Sequence, residues 1–333
     1  MDGSASEIVF DESGRCNFCK GAQASLESIK SLNLSAMLSE VISHGIDKKY
    51  DVLIGLSGGV DSSYALHCAV ELGLRPFCFT VDNSWNNPKA DENIMRLVET
   101  LKVPLYRYVL DKKSFKELQA AFMKAGLPNI EIPTDHVLMA TTYEMAAQYG
   151  IKYVISGGNV ATESIMPASW GYNARDLVHI KDVFKRMMGR DLTGVPTCSL
   201  LKWNFYRWIK GIKIVYLLDY LHFNRNEAAA LLAEKYGWQE YGGKHCENQF
   251  TEWFQNFYLF EKFSIDKRKA HLSSLIVSEQ MTRDEALAEL GRELYYPKLG
   301  LENRVMIAYP RRSHDEFKKD KYDLIAKFVR LWK

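Results

Sequence analysis

Nowhere in the 333-residue chain is there an uninterrupted apolar run of the roughly 18 to 20 residues that a membrane-spanning helix needs; the nearest, residues 212–218, is short and bounded by charge. An integral helical membrane protein is therefore not expected. An excess of one charge is also missing. Lys and Arg number 43 against 41 Asp and Glu, a net +2 without long single-sign runs, so there is no whole-molecule field of the kind that attracts nucleic acid. The start, Met1-Asp2-Gly3-Ser4, lacks the basic residues and apolar core of an export signal, and a cytoplasmic location is expected. Cysteines are few. The six stand at 16, 19, 68, 78, 198 and 246 with one close pair, which in a reducing compartment reads as thiols or metal ligands rather than disulfides. Repeats and low-complexity tracts are absent, and 47% hydrophobic with 25% charged residues excludes a disordered tail or a fibrous rod.

What is present divides into three parts. Residues 1–48 form a polar arm with Cys16-Asn17-Phe18-Cys19 and a weakly amphipathic stretch near 22–41. Across 49–200, apolar runs of strand length at 51–56, 76–81, 104–109 and 151–155 alternate with helix-period segments at 62–72, 91–101, 114–124 and 135–149. Strands apolar enough to be covered on both faces, alternating with helices, predict an α/β fold with a parallel sheet between helical layers. Residues 201–333 turn aromatic and helical. Asn224 or Asn226 precedes a helix at 227–236, Thr251 opens another, and Thr282-Arg283-Asp284-Glu285 has the form of a capping box. The aromatics between 253 and 263 have helical spacing and read as core, and the basic amphipathic segment 317–332 as a face packed on the body.

The most informative stretch is Ser57-Gly58-Gly59-Val60-Asp61-Ser62-Ser63, directly between a strand and a helix. Two glycines let the backbone bring N–H groups against an anion, and the helix N-terminus adds partial positive charge. Hydroxyls of Ser57, Ser62 and Ser63 donate to phosphate oxygens. Asp61 would repel bare phosphate, so its carboxylate belongs there with a cation, most naturally Mg²⁺, between the two. A Walker A loop ends in Gly-Lys-Ser/Thr and the dinucleotide loop reads GxGxxG; this stretch is neither.

The loop resembles the SGGxDS signature of the PP-loop ATP pyrophosphatases (the HUP-like adenine nucleotide alpha hydrolases), which adenylate an oxygen and expel pyrophosphate. Beyond it, Gly242 to Thr251, Phe254-Gln255, Tyr258-Leu259, Lys262-Phe263, the run from Asp266 to Ile276, Gly237-Trp238 with Tyr241, Gly157-Gly158-Asn159 with Thr162-Glu163, and Met281 to Leu287 are similar to the N-acetyl sugar amidotransferases of bacterial surface-polysaccharide and nonulosonic-acid biosynthesis. The resemblance implies an ATP- and Mg²⁺-dependent conversion of a sugar acetamido group to acetamidino. The acceptor it implies is a nucleotide-linked N-acetyl sugar. Ammonia would come from a separate HisH-like glutaminase with a HisF-like cyclase subunit, since this chain shows neither an N-terminal cysteine nucleophile nor length for a Cys-His-Glu glutaminase domain.

Individual residues follow. Asp82, with Asn83, Trp85 and Asn86, leaves a strand where such folds bind nucleotide. Gly157 and Gly158 form a second glycine-rich exit that encloses the nucleotide with the first loop, placing Asn159 and Glu163 near metal or substrate. Lys267 and Arg268 supply the cations that departing pyrophosphate requires and the loop lacks. His245, beside Lys244 and Glu247, suits a proton acceptor for attacking ammonia. Trp170 and Tyr172, in an irregular stretch, are candidates to stack on a sugar or base, and Arg175 to meet a diphosphate. Cys16 and Cys19 offer two ligands where structural Zn²⁺ takes four, so Cys198, Cys246 or His245 would have to complete the set. The rival readings are a tRNA-thiolating PP-loop enzyme, which calls for a broad basic surface, and a nucleotide-binding module without catalysis.

Overall fold

A computed structural model describes residues 1–244 and 246–320; His245 and most of the basic segment 317–332 lie outside them. Two helices open the chain, α1 (Asn17–Ile29) and α2 (Leu34–Gly45), where the pattern suggests one stretch. Asn33 divides them, because its side-chain oxygen accepts from Ala36 N and starts a new helix. Then come β1 (Val52–Gly55), α3 (Val60–Glu71), β2 (Pro76–Asp82), α4 (Pro88–Leu101), β3 (Leu105–Val109), α5 (Lys112–Ala125), α6 (Ile132–Gln148) and β4 (Tyr153–Ser156), close to the segments the periodicity predicts.

After α7 (Val160–Glu163), α8 (Leu177–Met188) and α9 (Leu200–Asn204), a further strand appears, β5 (Lys213–Tyr216), followed by α10 (Arg225–Tyr236). All five strands run parallel in the order β3-β2-β1-β4-β5. No local pattern announces β5. Its state comes from pairing with β4, from Tyr153↔Lys213 to Ser156↔Tyr216, which is a tertiary contact.

Side chains alternate across the sheet. Val52 and Ile54 join one core with Leu66, Ile94, Leu97 and Leu232, under α3, α4 and α10. Leu53, between them in sequence, enters another with Phe77, Phe79, Val154 and Trp203, under α6 and the helix beginning at α9. Each fully buried aliphatic contributes about 1.5–3 kcal/mol relative to exposure. Covered on both faces, the sheet opens only at its edges, and ligands belong at the carboxyl ends of its strands, where connections part between β1 and β4.

A third core lies to one side. Ala5 and Ala22 of the arm meet Phe122 of α5, Phe184 of α8, and Trp253, Phe254 and Tyr258. Trp253 ends α11 (Gln249–Trp253), and Phe254 and Tyr258 bound the π-helical turn that joins it to α12 (Leu259–Phe263); α13 (Arg268–Val277) and α14 (Arg283–Leu290) complete the region. Thr282 and Glu285 form the capping box that opens α14. The start of α11 differs from the expectation at Thr251. Asn248 caps the helix by accepting from Phe250 N and Thr251 N, which releases the Thr251 hydroxyl to reach Glu131 at 2.9 Å.

Candidate active site

The loop after β1 has the geometry of an anion cradle. Gly58 sits at φ +83°, and a Cβ there would lie 2.3 Å from the carbonyl oxygen of Ala90, so both the backbone conformation and the space require glycine. Trp238 Nε1 donates to Gly58 O at 3.0 Å and pins the turn. Gly59 then caps α3 with no side chain. Six other helices close their first turn with Asn33, Asn87, Asp111, Asp176, Asn224 or Thr282, whereas the opening amides of α3, like those of α6 and α13, meet no side chain from the N-cap residue. Ser57 and Ser62 hydroxyls stand 3.2 Å apart beside them. Ser63 does not join: its hydroxyl is buried in the interior without a hydrogen bond.

The second glycine exit approaches as closely as backbone allows. A Cβ on Gly157 would fall 2.7 Å from Ser62 N. Gly157 and Gly158 line a cavity of 230 Å³ with Ser57, Gly59, Asp61 and Ser62. Asn159 shapes this loop instead of lining it, accepting from Thr162 N at 2.8 Å as the cap of α7. Cap and helix together aim Glu163 into the cavity. Lys244 enters from the opposite wall, its Nζ 2.8 Å from Glu163, 3.0 Å from the Thr162 hydroxyl and 3.4 Å from Asp61. Burial pushes the Asp61 carboxyl above its usual range, with Lys244 opposing. Glu247 is pushed up to about 7, first by burial, with the charges of Asp61 and Glu163 adding to it.

A larger cavity of 570 Å³ adjoins the first and shares Ser57, Glu163 and Glu247 with it. Phe79, Thr80, Asn83 and Asn86 form its wall at the end of β2, the adenosine side expected from the sequence. Asp82 turns away, accepting from Ser84 N at 2.9 Å and standing 3.7 Å from Arg107. Trp85 likewise packs on Phe250 and donates to Gln119. The floor holds a cluster of which sequence reasoning named only Lys267. Glu131 and Asp135, one turn apart at the start of α6, face Lys267 at the start of α13. Burial raises Glu131 to about 8, with Asp135 adding, and burial raises Asp135 to about 6. Burial lowers the Lys267 ammonium, against the pull of both carboxylates. His271, one turn further along α13, is driven down to about 3 by burial and by Lys244 and Lys267. An i, i+4 acidic pair opening a helix was the available signal for Glu131 and Asp135. His271 had none.

Several expected residues lie elsewhere. Arg268 binds Asp266 at 2.8 Å and donates to carbonyls of Glu289 and Arg292, so it ties α13 to the end of α14. Trp170 is buried in the third core, and Tyr172 stacks on His314 while donating to Asp176 at 2.7 Å; neither lines a cavity described above. In both cases burial of a large aromatic outweighed the loop's apparent irregularity. Arg175 lies over the ring of Trp203 at 4.9 Å, in a third cavity. His245 is outside the described residues.

The metal expectations separate. Cys16 and Cys19 have sulfurs 3.3 Å apart, but Cys198 packs in the core beside Trp203 and Cys246 beside Gly242, and no group of three or more His, Cys, Asp or Glu among the described residues could hold a metal. A four-ligand zinc site does not assemble there. Mg²⁺ is a different case, since it takes one or two carboxylates together with phosphates and water. Asp61 and Glu163, converging beside the bare amides of α3, fit an ion carried in with a nucleotide.

Parallel sheet, uncapped glycine loop and paired glycine exit give an α/β fold with a helical C-terminal region, as the resemblance of the loop to the PP-loop ATP pyrophosphatases implies. Residues 247–329 match the family described as LPS biosynthesis protein WbpG-like, C-terminal domain. Among solved structures, the chain is similar to an NMN synthetase from Francisella tularensis, at 23% identity and TM-score 0.30, covering 43% of this chain and 56% of that one. It is also similar to an NH3-dependent NAD synthetase from Campylobacter jejuni, at 16% identity and TM-score 0.31, covering 81% and 99%. No curated protein matches. No helix of the described residues is long and apolar enough to cross a membrane.

Proposed function

We propose that the protein is an ATP-dependent amidotransferase that converts the acetamido group of a nucleotide-linked sugar to an acetamidino group during surface-polysaccharide biosynthesis. The observation that carries this reading is where the WbpG-like segment lies. It contributes Glu247, Thr251, Lys267 and His271 to the cavity beside the phosphate loop, so the part that bears the polysaccharide family match also builds the wall an acceptor would meet.

The chemistry balances in two displacements. The acetamide oxygen attacks the α-phosphorus of ATP, the bond to the β-phosphate breaks, and pyrophosphate leaves. Ammonia then adds to the imidate carbon, AMP departs with the former amide oxygen, and a proton from the nitrogen is released. The opening amides of α3 with Ser57 and Ser62 bind the leaving pyrophosphate, and Lys244 and Arg225 line the same cavity as cations that can meet it. Mg²⁺ held by Asp61 and Glu163 would neutralise phosphate charge. Lys267 lines the adjoining cavity and meets the adenylated oxygen, while Glu131 beside it, in its ionised form, takes the proton released from the attacking nitrogen. Ammonia is supplied by a separate glutaminase.

The test is incubation of the protein with ATP, Mg²⁺, ammonium and a panel of UDP- and CMP-linked acetamido sugars, followed by mass spectrometry and assay of AMP and pyrophosphate. Replacement of one carbonyl oxygen by an imino group, with AMP and pyrophosphate released in equal amounts, is expected. Pyrophosphate release without any change in the sugar would defeat the proposal.

A further inference from the structure

The two cavities described so far pose a problem for the acceptor. The larger is lined by Glu131, Asp135, Glu163 and Glu247, and a sugar carried on a diphosphate would bring two further negative charges against them. A third cavity, of 870 Å³, has the opposite character. Its lining contains no Asp or Glu among the described residues and includes Arg175, Arg207 and Lys213. The two arginines flank one indole, with guanidinium carbons 4.9 and 4.6 Å from the centre of the Trp203 ring. Neither forms an ion pair with a carboxylate among the described residues. Lys213 differs, being held by Glu40 at 2.6 Å. Trp208 and Tyr216, 67% and 50% exposed, line the same cavity.

Position matters as much as charge. Gly55 and Thr142 line both the third cavity and the 570 Å³ one, and Gly157 lines both the third and the phosphate-loop cavity. The three spaces therefore adjoin at the carboxyl ends of β1 and β4. A ligand anchored in the third can extend its far end to the place where the α-phosphate would lie.

We infer that the third cavity is the subsite for the nucleoside diphosphate of the acceptor, with Arg175 and Arg207 on the phosphates and Trp208 and Tyr216 against the base; this rests on the amidotransferase reading above. Planar guanidinium groups, pre-positioned on an aromatic face and lacking carboxylate partners, match phosphate oxygens in pairs. Aromatic walls accept a base by stacking. The acetamido end then reaches the acidic cavity, where it is neutral and unopposed.

UDP alone serves as the probe, titrated calorimetrically into the full-length protein saturated with α,β-methylene ATP. Binding that persists beside the ATP analogue is expected, together with at least tenfold weakening in Arg175→Ala/Arg207→Ala and unchanged analogue affinity in that variant. Trp208→Ala should remove the preference for UDP over inorganic pyrophosphate. Circular dichroism establishes that the variants are folded, and a Lys substitution at both arginines should recover part of the affinity. Competition between UDP and the ATP analogue, absence of UDP binding, or indifference to the double substitution would overturn the assignment. Because the readout is binding without turnover, failure of the amidine-forming reaction would leave this result separately interpretable.

Discussion

The phosphate loop and the floor of the large cavity are both buried polar sites, built on opposite principles. The loop uses backbone: Gly58 and Gly59 turn the chain so that the unshared amides of α3 point at one space. The floor uses charged side chains from two distant segments, Glu131 and Asp135 on α6 and Lys267 at the head of α13. Backbone dipoles cannot titrate and are fixed by the fold, so the amides themselves present the same partial charge at any pH, while carboxyl groups beside them such as Asp61 and Glu247 titrate. The floor holds ionisable groups against their preference for water, and its charge depends on pH and on what occupies the cavity. One site is suited to a constant ligand, the nucleotide phosphates. The other is suited to a step in which a proton moves.

The largest effect should follow from breaking the backbone site. Gly58→Ala places a methyl against the Ala90 carbonyl and strains a positive φ; a loss of pyrophosphate release of about a hundredfold or more is expected in a coupled assay, since small misplacements cost that much. Breaking the side-chain site should come next. Lys267→Met keeps the stem and deletes the charge, and turnover is expected to fall by about 10²-fold with little change in ATP affinity measured by calorimetry. Trp170→Ala tests the boundary between site and core: denaturant unfolding should show a loss of about 3–5 kcal/mol while ATP affinity in the folded protein is unchanged. Arg268→Ala should cost about 1–3 kcal/mol through α14 and leave turnover near wild type, in contrast to its neighbour Lys267.

The smallest and most diagnostic effect concerns pH. Glu131 has its folded pKa raised to about 8 from an ordinary 4.5, so the folded state holds its proton more tightly across that interval. Its contribution to stability is fully present below about 4.5 and is lost as pH rises through about 8. Thermal unfolding of Glu131→Gln between pH 5 and 9 should therefore be flatter than that of the parent. The same melts on Gly58→Ala should keep the parent's slope.

The parallel sheet was legible because its strands are buried on both faces and so read as apolar runs between amphipathic helices. The loop was legible because a tight turn into a helix restricts which residues can stand at Ser57 to Asp61. Lys244, Glu163 and Lys267 were found through their place in family-like segments, and the fold brings all three to the cavities. Arg268, beside Lys267, was not separable from it in sequence. Only the helical geometry of α13 sends one side chain inward and the other to the carbonyls of Glu289 and Arg292.

What the sequence by itself determined is the chemistry that depends on contiguous residues: the strand, glycine turn and helix start that make an anion site. Tertiary structure alone decided which separated charges meet. Glu131 reaches Lys267 across 136 residues, β5 becomes a strand only beside β4, and Arg175 finds Arg207 through the ring of Trp203. The reason is physical. A backbone turn is specified by the few residues within it, whereas the energy of a buried charge depends on every group the fold places around it.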